Sequence, residues 1–379
     1  MSAVITSTDD SPNKLDEVVK SVIEPAARRV DETAAFPRDS LNALSEAGLL
    51  GLVSSEEVGG TGGGIREASF AVERISHGCA STAMIVCMHY AATAVLEAHG
   101  RQDVRESIAR GEHLTTLAFS EAGSRSHFWA PLGTATTTDG RVLLNARKSW
   151  ITSAGQADSY VWSSRPLDAD GASTLWLVPA SAAGLTVTAP FDGLGMRGNW
   201  SAPVVGQEVT VDRGAMLGPD GGGFDVMIGI VLPWFQLMNA AISVGTMEAA
   251  LAKAIDHVSG TQLEHLGQAL ADLPTIRAYL ARARIVADSA RALLLDAIDA
   301  VESGREDATL RVLEVKATAA EAALQVTDIA MRVCGGAAFR KEVGIERHFR
   351  DARAMSVMAP TSDVLYDFIG KALCGLPLF

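Results

Sequence analysis

The chain has 379 residues, 48% hydrophobic and 20% charged, enough to bury a large core divided among two or three lobes. Its formal net charge of -13 excludes the basic stripe that nucleic-acid phosphates require. No polybasic cluster favours an anionic membrane surface, so neither nucleic acid nor membrane is an expected partner.

The N-terminal ten residues, Met1 to Asp10, lack a basic n-region and an apolar h-region, so a cytoplasmic location is expected and a secretory signal is not. Cys79, Cys87, Cys334 and Cys374 are scattered with no pair at metal-ligand spacing. They read as buried free thiols of a reducing compartment, and no metal site is expected.

The first block, residues 1–114, reads as helical. Leu41 to Leu50 repeats apolar residues at three- and four-residue spacing around a terminating glycine, and a helical stretch covers Ile65–His99. Between them, Glu57 to Gly64 is too glycine-rich to be regular, and it lacks the Lys-Ser/Thr ending of a phosphate loop.

The second block, 115–222, reads as short strands. An Asp139-Gly140 turn between β-branched runs signals a hairpin, and the runs at 160–162, 174–179, 185–188 and 204–211 continue the pattern. Strands at such spacing suggest a small barrel or sandwich. Within this block lies Lys148-Ser-Trp-Ile-Thr-Ser. On an extended segment Trp150 and Thr152 share one face, a flat apolar wall beside a hydroxyl that suits a planar cofactor such as a flavin.

The third block, 223–379, returns to helix, with long periodic stretches at 278–301 and 310–334 that predict a bundle. Val226 to Met247 carries no charge, a length that could span a bilayer, but Pro233, Gln236 and Asn239 lie near its centre. It is expected to be a helix buried on all sides among other helices.

Several strings occur in order along the chain: Phe36-Pro-Arg through Glu56-Glu-Val-Gly-Gly-Thr-Gly, Phe119-Ser-Glu-Ala-Gly-Ser-Arg-Ser, Lys148-Ser-Trp-Ile-Thr-Ser, Gly195-Met-Arg-Gly, Leu217-Gly-Pro-Asp-Gly-Gly-Gly-Phe, Cys334-Gly-Gly and Phe349-Arg-Asp-Ala-Arg. With them the chain resembles the acyl-CoA dehydrogenase superfamily of flavoproteins over nearly its whole length. The resemblance implies an α+β, mainly α fold: an N-terminal helical domain (1–114), a middle β-barrel (115–222) and a C-terminal four-helix bundle (223–379). It implies FAD, with FMN as the alternative, at a subunit interface of a homodimer or homotetramer. The implied substrate is an acyl thioester on CoA or a carrier protein, and the implied redox partner is an electron-transfer flavoprotein or a flavin reductase. Carried over by position, Phe119, Ser120, Gly123 and Ser126 line the flavin and the near part of the substrate. Trp150 packs on the isoalloxazine, Thr152 bonds near N5, Gly335 and Gly336 admit the diphosphate, and Thr361 and Asp363 touch the flavin.

The chain departs from that resemblance in two places. An acyl-CoA dehydrogenase needs a carboxylate to take the substrate α-proton. The usual position holds Ala359, and the alternative position falls at Phe235, with no Asp or Glu between Asp225 and Glu248. The arginine that relatives extend to the FAD diphosphate is replaced by Leu263, so FAD is expected to be held loosely unless another arginine such as Arg277 substitutes. Asp363, expected on the same helical side as Ala359, and His89 are substitute bases; a solvated or flavin-contacting aspartate and a satisfied buried histidine are the plainer readings. Three functions stay open: a flavin-dependent oxidoreductase acting on an acyl thioester, a two-component flavin monooxygenase with His89 and Ser153 near the flavin, and a catalytically degenerate partner subunit.

Overall fold

A computed structural model describes residues 11–124 and 127–378, so Ser126 lies outside the described residues. Helices α1 (Ser11–Val18) and α2 (Glu24–Thr33) are joined by a π turn, followed by α3 (Arg38–Glu46), α4 (Ile65–Gly78), α5 (Ala80–His99) and α6 (Gln102–Ala109). The stretch expected to be helical from 65 to 99 is two helices. Cys79 takes an extended conformation (φ -154°, ψ 109°) and serves both: its N–H donates to Ile75 of α4, and its carbonyl accepts from Ala83 of α5. The chain can therefore change direction without leaving those groups unpaired. Helix α5 is buried on almost every face.

Strands β1 (Thr115–Ala118), β2 (Thr134–Thr138), β3 (Arg141–Ile151), β4 (Ser159–Ser164), β5 (Thr174–Pro179), β6 (Leu185–Val187), β7 (Ala202–Val211) and β8 (Met216–Leu217) follow. The Asp139-Gly140 hairpin forms, with Thr138 opposite Arg141 and both turn residues at positive φ (50° and 75°), the two-residue loop that matches strand twist. The expected barrel appears as two four-stranded sheets, ordered β1-β4-β5-β8 and β2-β3-β7-β6, and neither closes on itself. Trp162 and Trp176 of the first sheet are buried against Val142, Leu144, Val204 and Val209 of the second. Gly206 on β7 admits the Trp162 ring, since a Cβ there would stand 3.2 Å from it.

The last block holds α7 (Gly223–Val226), a π turn at Met227–Val231, α8 (Leu232–Gly260), a small hairpin of β9 (Gln262–Leu263) and β10 (Gln268–Ala269), then α9 (Pro274–Glu302), α10 (Ala308–Cys334), α11 (Ile345–Val357) and α12 (Ser362–Leu373). Helix α10 packs against α8, α9, α11 and α12. The uncharged stretch is buried throughout only from Gln236 to Met247. Its first part, including Ile228, Gly229 and Pro233 to Phe235, is partly exposed, and Phe235 faces a cavity. By length and apolarity α5 and the α7–α8 segment could cross a membrane; most of each apolar window is buried inside the protein. All four cysteines are free, and Cys374, unlike the other three, is exposed.

Asp220 ties the β5–β8 end together. Its carboxylate accepts from the amides of Leu167, Asp168 and Ala169 and from the Thr174 hydroxyl. Burial alone would raise its pKa, but these donors outweigh burial and hold it at about 2. A carboxyl depressed in the folded state contributes stability above its unfolded pKa and loses it as pH falls through the folded value. Asp220→Asn is therefore expected to lower the melting temperature at pH 7 and to narrow its gap from the parent between pH 4 and pH 2, measured by thermal denaturation across that range.

Candidate active site

A cavity of about 760 Å³ lies where the first sheet meets α5, α8 and α11. Met84 and Met88 of α5, Leu232 and Phe235 of α8, and Ala354 and Met358 at the end of α11 give it an apolar wall. Phe119 adds to it, its ring stacked on Phe128 at 6.4 Å between centroids.

Two anchors shape this space. The first is a buried ion pair. Glu121 lies in the loop after β1, and its Oε1 meets Lys148 Nζ at 2.7 Å with both side chains almost wholly buried. The other oxygen, Oε2, accepts from the amides of Leu132 and Gly133 at 2.7 and 2.9 Å. Lys148 also donates to the Ser163 carbonyl and hydroxyl, each at 2.8 Å. Burial pulls the lysine pKa down and the Glu121 charge pulls it back. The second anchor joins the 193–196 loop to α11. Asp351 Oδ1 accepts from the Met196 amide at 2.6 Å, and Arg350 donates to the Leu194 carbonyl and pairs with Asp31 and Glu346. Gly195 permits this approach, because a Cβ would stand 2.4 Å from the Arg350 carbonyl. Burial raises the Asp351 carboxyl to about 6.

The cavity gathers Phe119, Ser120, Gly123, Trp150, Thr152, Ala359, Thr361 and Phe235. The reason expected for the Trp150–Thr152 pair does not hold. Strand β3 is irregular between Lys148 and Ile151, Trp150 takes a left-handed conformation (φ 57°), and Thr152 lies beyond the strand end. Strand alternation is therefore broken, and the irregularity brings both residues to the cavity by another route. Trp150 is 71% exposed, whereas Thr152 is buried with its hydroxyl 3.1 Å from that of Ser201.

Other expected residues do not line the cavity. His89 is fully buried; its Nε2 donates to the Leu50 carbonyl at 3.0 Å and its Nδ1 accepts from the Thr115 amide at 3.2 Å. Burial lowers its pKa to about 4, so it is a neutral pin between α5, the Leu50 turn and β1. Ser153 is buried in the turn beyond β3, where its carbonyl accepts from the Ala157 amide. Asp363 is exposed in the first turn of α12 and shares no helical turn with Ala359, because Thr361 caps that helix and Ala359 precedes it. Gly335 and Gly336 end α10 with open space around them. Leu263 sits in the β9 hairpin, and Arg277 is engaged with the carbonyls of Ala271 and Asp272.

Sequence reading missed the Glu121–Lys148 pair, whose partners stand on separate elements with no common spacing. It also missed Lys316, fully buried on α10 with Nζ on the carbonyls of Met358 and Pro360 at 2.8 and 2.5 Å. A signal was present: Val312, Leu313, Ala319 and Ala320, at helical spacing around Lys316, are all apolar.

Residues 12–111, 116–209 and 221–374 match, respectively, the N-terminal, middle and C-terminal domains of acyl-CoA dehydrogenase. The chain belongs to the acyl-CoA dehydrogenase family. It is a flavin-dependent oxidoreductase of that type. A mitochondrial short-chain specific acyl-CoA dehydrogenase of Bos taurus is 30% identical over 90% of this chain and 83% of its own. A probable acyl-CoA dehydrogenase, YngJ, of Bacillus subtilis is 28% identical over 94% and 95%. The butyryl-CoA dehydrogenase structure from Megasphaera elsdenii superposes with a TM-score of 0.90 at 24% identity, over 98% of this chain and 100% of that one.

Breaking one side of a buried ion pair strands the other charge, at a cost of about 3–5 kcal/mol. Lys148→Met is expected to destabilise the protein on that scale in urea denaturation, and the double variant Lys148→Met with Glu121→Leu by clearly less.

Proposed function

We propose that the chain oxidises an acyl thioester in the 760 Å³ cavity with FAD as its cofactor, without the carboxylate that ordinary α,β-dehydrogenation uses. The observation that carries this reading is the inner wall. Residue 359 lines the cavity as alanine, and the one carboxylate among the described lining residues, Glu121, has both oxygens committed to Lys148 and two amides. A general base must reach the substrate proton with a free lone pair. Glu121, buried and paired with Lys148, with its second oxygen held by two amides, serves as an anchor.

The residues suit FAD. Trp150 presents an exposed indole at the cavity, Ser120 and Thr152 bring hydroxyls, and Gly123 leaves backbone uncovered. When bound, FAD would supply the acceptor for a hydride from the acyl chain, and with no lining carboxylate free the α-proton would pass slowly to solvent water. Trp150 would cover the ring, Thr152, held by Ser201, would offer a hydrogen bond, and the methionine and phenylalanine wall would take the acyl chain. Thr361 closes the same end of the cavity, while Asp363, Gly335 and Gly336 remain available to the parts of FAD that extend outside it. The monooxygenase alternative needs no α-proton base and so also accommodates Ala359, but neither His89 nor Ser153, the residues it would place near the flavin, lines the cavity.

The division at 115 and 223 is supported by the change from helices to strands and back. The two sheets form the barrel-like middle part, and α8, α9, α10 and α11 are the proposed four-helix bundle. Large exposed apolar side chains, among them Phe339 at 81% and Leu373 at 71%, support a homo-oligomer. An electron-transfer flavoprotein or a flavin reductase is the redox partner that this reading calls for.

Trp150→Ala is expected to weaken FAD by about 1–2 kcal/mol, the scale of an aromatic packing wall; equal affinities in a fluorescence titration would remove Trp150 from the site. Saturated acyl-CoAs are expected to bleach the flavin of the parent protein slowly under anaerobic mixing. General-base catalysis contributes about 10²–10⁴-fold, so Ala359→Glu is expected to accelerate bleaching within that range. Rapid bleaching by the unmodified protein would show that another group takes the proton.

A further inference from the structure

The turn that carries residue 359 is held from behind mainly by Lys316. Lys316 Nζ donates to the carbonyls of Met358 and Pro360, the two that flank Ala359. Asn239 of α8 adds a weaker contact to the same turn, its Nδ2 lying 3.5 Å from Met358 Sδ. Met358, Ala359 and Thr361 all line the cavity, whereas Lys316 is fully buried and does not. Two carbonyls on either side of one residue fix where its Cβ points. A lysine has no stabilising reason to sit there unaccompanied by a carboxylate, because taking an ammonium out of water is costly.

We propose that Lys316 is a positioning residue for the acyl-thioester site: by clamping both carbonyls around residue 359 it sets the shape of the cavity's inner end. The inference rests on the cavity being the substrate site. Charge-assisted donors are roughly twice as strong as neutral ones, so the clamp is tightest when the amine is protonated. Burial lowers the Lys316 pKa to about 7.

Charged groups on the neighbouring helices are engaged elsewhere. Glu248 of α8 pairs with Arg284 and Arg291 of α9. On α11, Asp351 accepts from Met196 and Arg353 faces Ser356, and Asp363 and Tyr366 of α12 are exposed. Two opposite pH trends follow. A lysine depressed in the folded state makes the fold more stable as pH rises from about 7 towards its unfolded pKa. Loss of the same proton weakens the clamp, so substrate fit declines over that range.

The test uses the FAD-loaded protein with butyryl-CoA as probe, titrated from pH 6 to pH 9, alongside hydrogen exchange at the Ala359 and Thr361 amides. In the parent, butyryl-CoA affinity is expected to fall several-fold through pH 7 while the melting temperature does not fall. Lys316→Met is expected to bind butyryl-CoA at least tenfold more weakly at pH 6, with FAD affinity unchanged and no pH step. Its two amides should exchange at least tenfold faster than the parent's. Lys316→Gln, which keeps a donor, should recover part of the protection. If Lys316→Met does not fold, the parent's pH profile and exchange decide alone. PH-independent protection of both amides in the parent would overturn the proposal, as would a Lys316→Met protein with parental protection. Failure of butyryl-CoA to bind any form, with the exchange pattern as expected, would overturn the substrate reading and leave the clamp standing.

Discussion

The buried Glu121–Lys148 pair is the constraint on which the site is built. Lys148 projects from β3 in the second sheet, yet its ammonium ends on Ser163 of β4 in the first and on the loop leaving β1. One charge thus joins both sheets and the segment carrying Phe119 and Ser120. Desolvating two ions is costly, and the cost is offset only where the remaining lone pairs and protons find partners. Here each carboxylate oxygen is occupied, and the ammonium has three acceptors and the Trp162 ring at 4.9 Å. The same completeness makes Glu121 unavailable as a base.

A second rigid body meets that one across the cavity. Helix α11 carries Arg350 and Asp351, which hold the 193–196 loop, and it ends in the turn that Lys316 grips from α10. Two sides of the cavity are therefore fixed by buried charged groups that bond to backbone as well as to each other. Backbone carbonyls and amides do not change with side-chain substitution at the lining positions. Such a scaffold tolerates a change of side chain at a lining position such as residue 359 and keeps its shape.

Much of the fold was legible because hydrophobic period and turn chemistry are local properties. The Asp139-Gly140 hairpin, the strand block from 115 and the long helices α9 and α10 could be read from spacing alone. The break at Cys79 was not, although Gly78 stands just before it, since a single glycine inside a helical pattern does not by itself mark a helix end. Nor was the irregularity in β3, which shows itself only when β3 is paired against β7. A small barrel or sandwich was expected, and two open sheets are found, because strand count and spacing do not specify how edges meet.

For the site, sequence alone determined which chemical groups are present: an alanine at 359, no carboxylate in the α8 segment, an indole at 150 and a lysine at 316. These are facts of the sequence and need no coordinates. Only the tertiary structure decided which of them meet. It withdrew His89, Ser153 and Asp363 from the cavity lining, and it joined Lys316 to a turn 42 residues away. The reason is physical: a hydrogen bond or a desolvated charge depends on distances of a few ångströms between elements far apart in the chain, and no periodicity along one element encodes them.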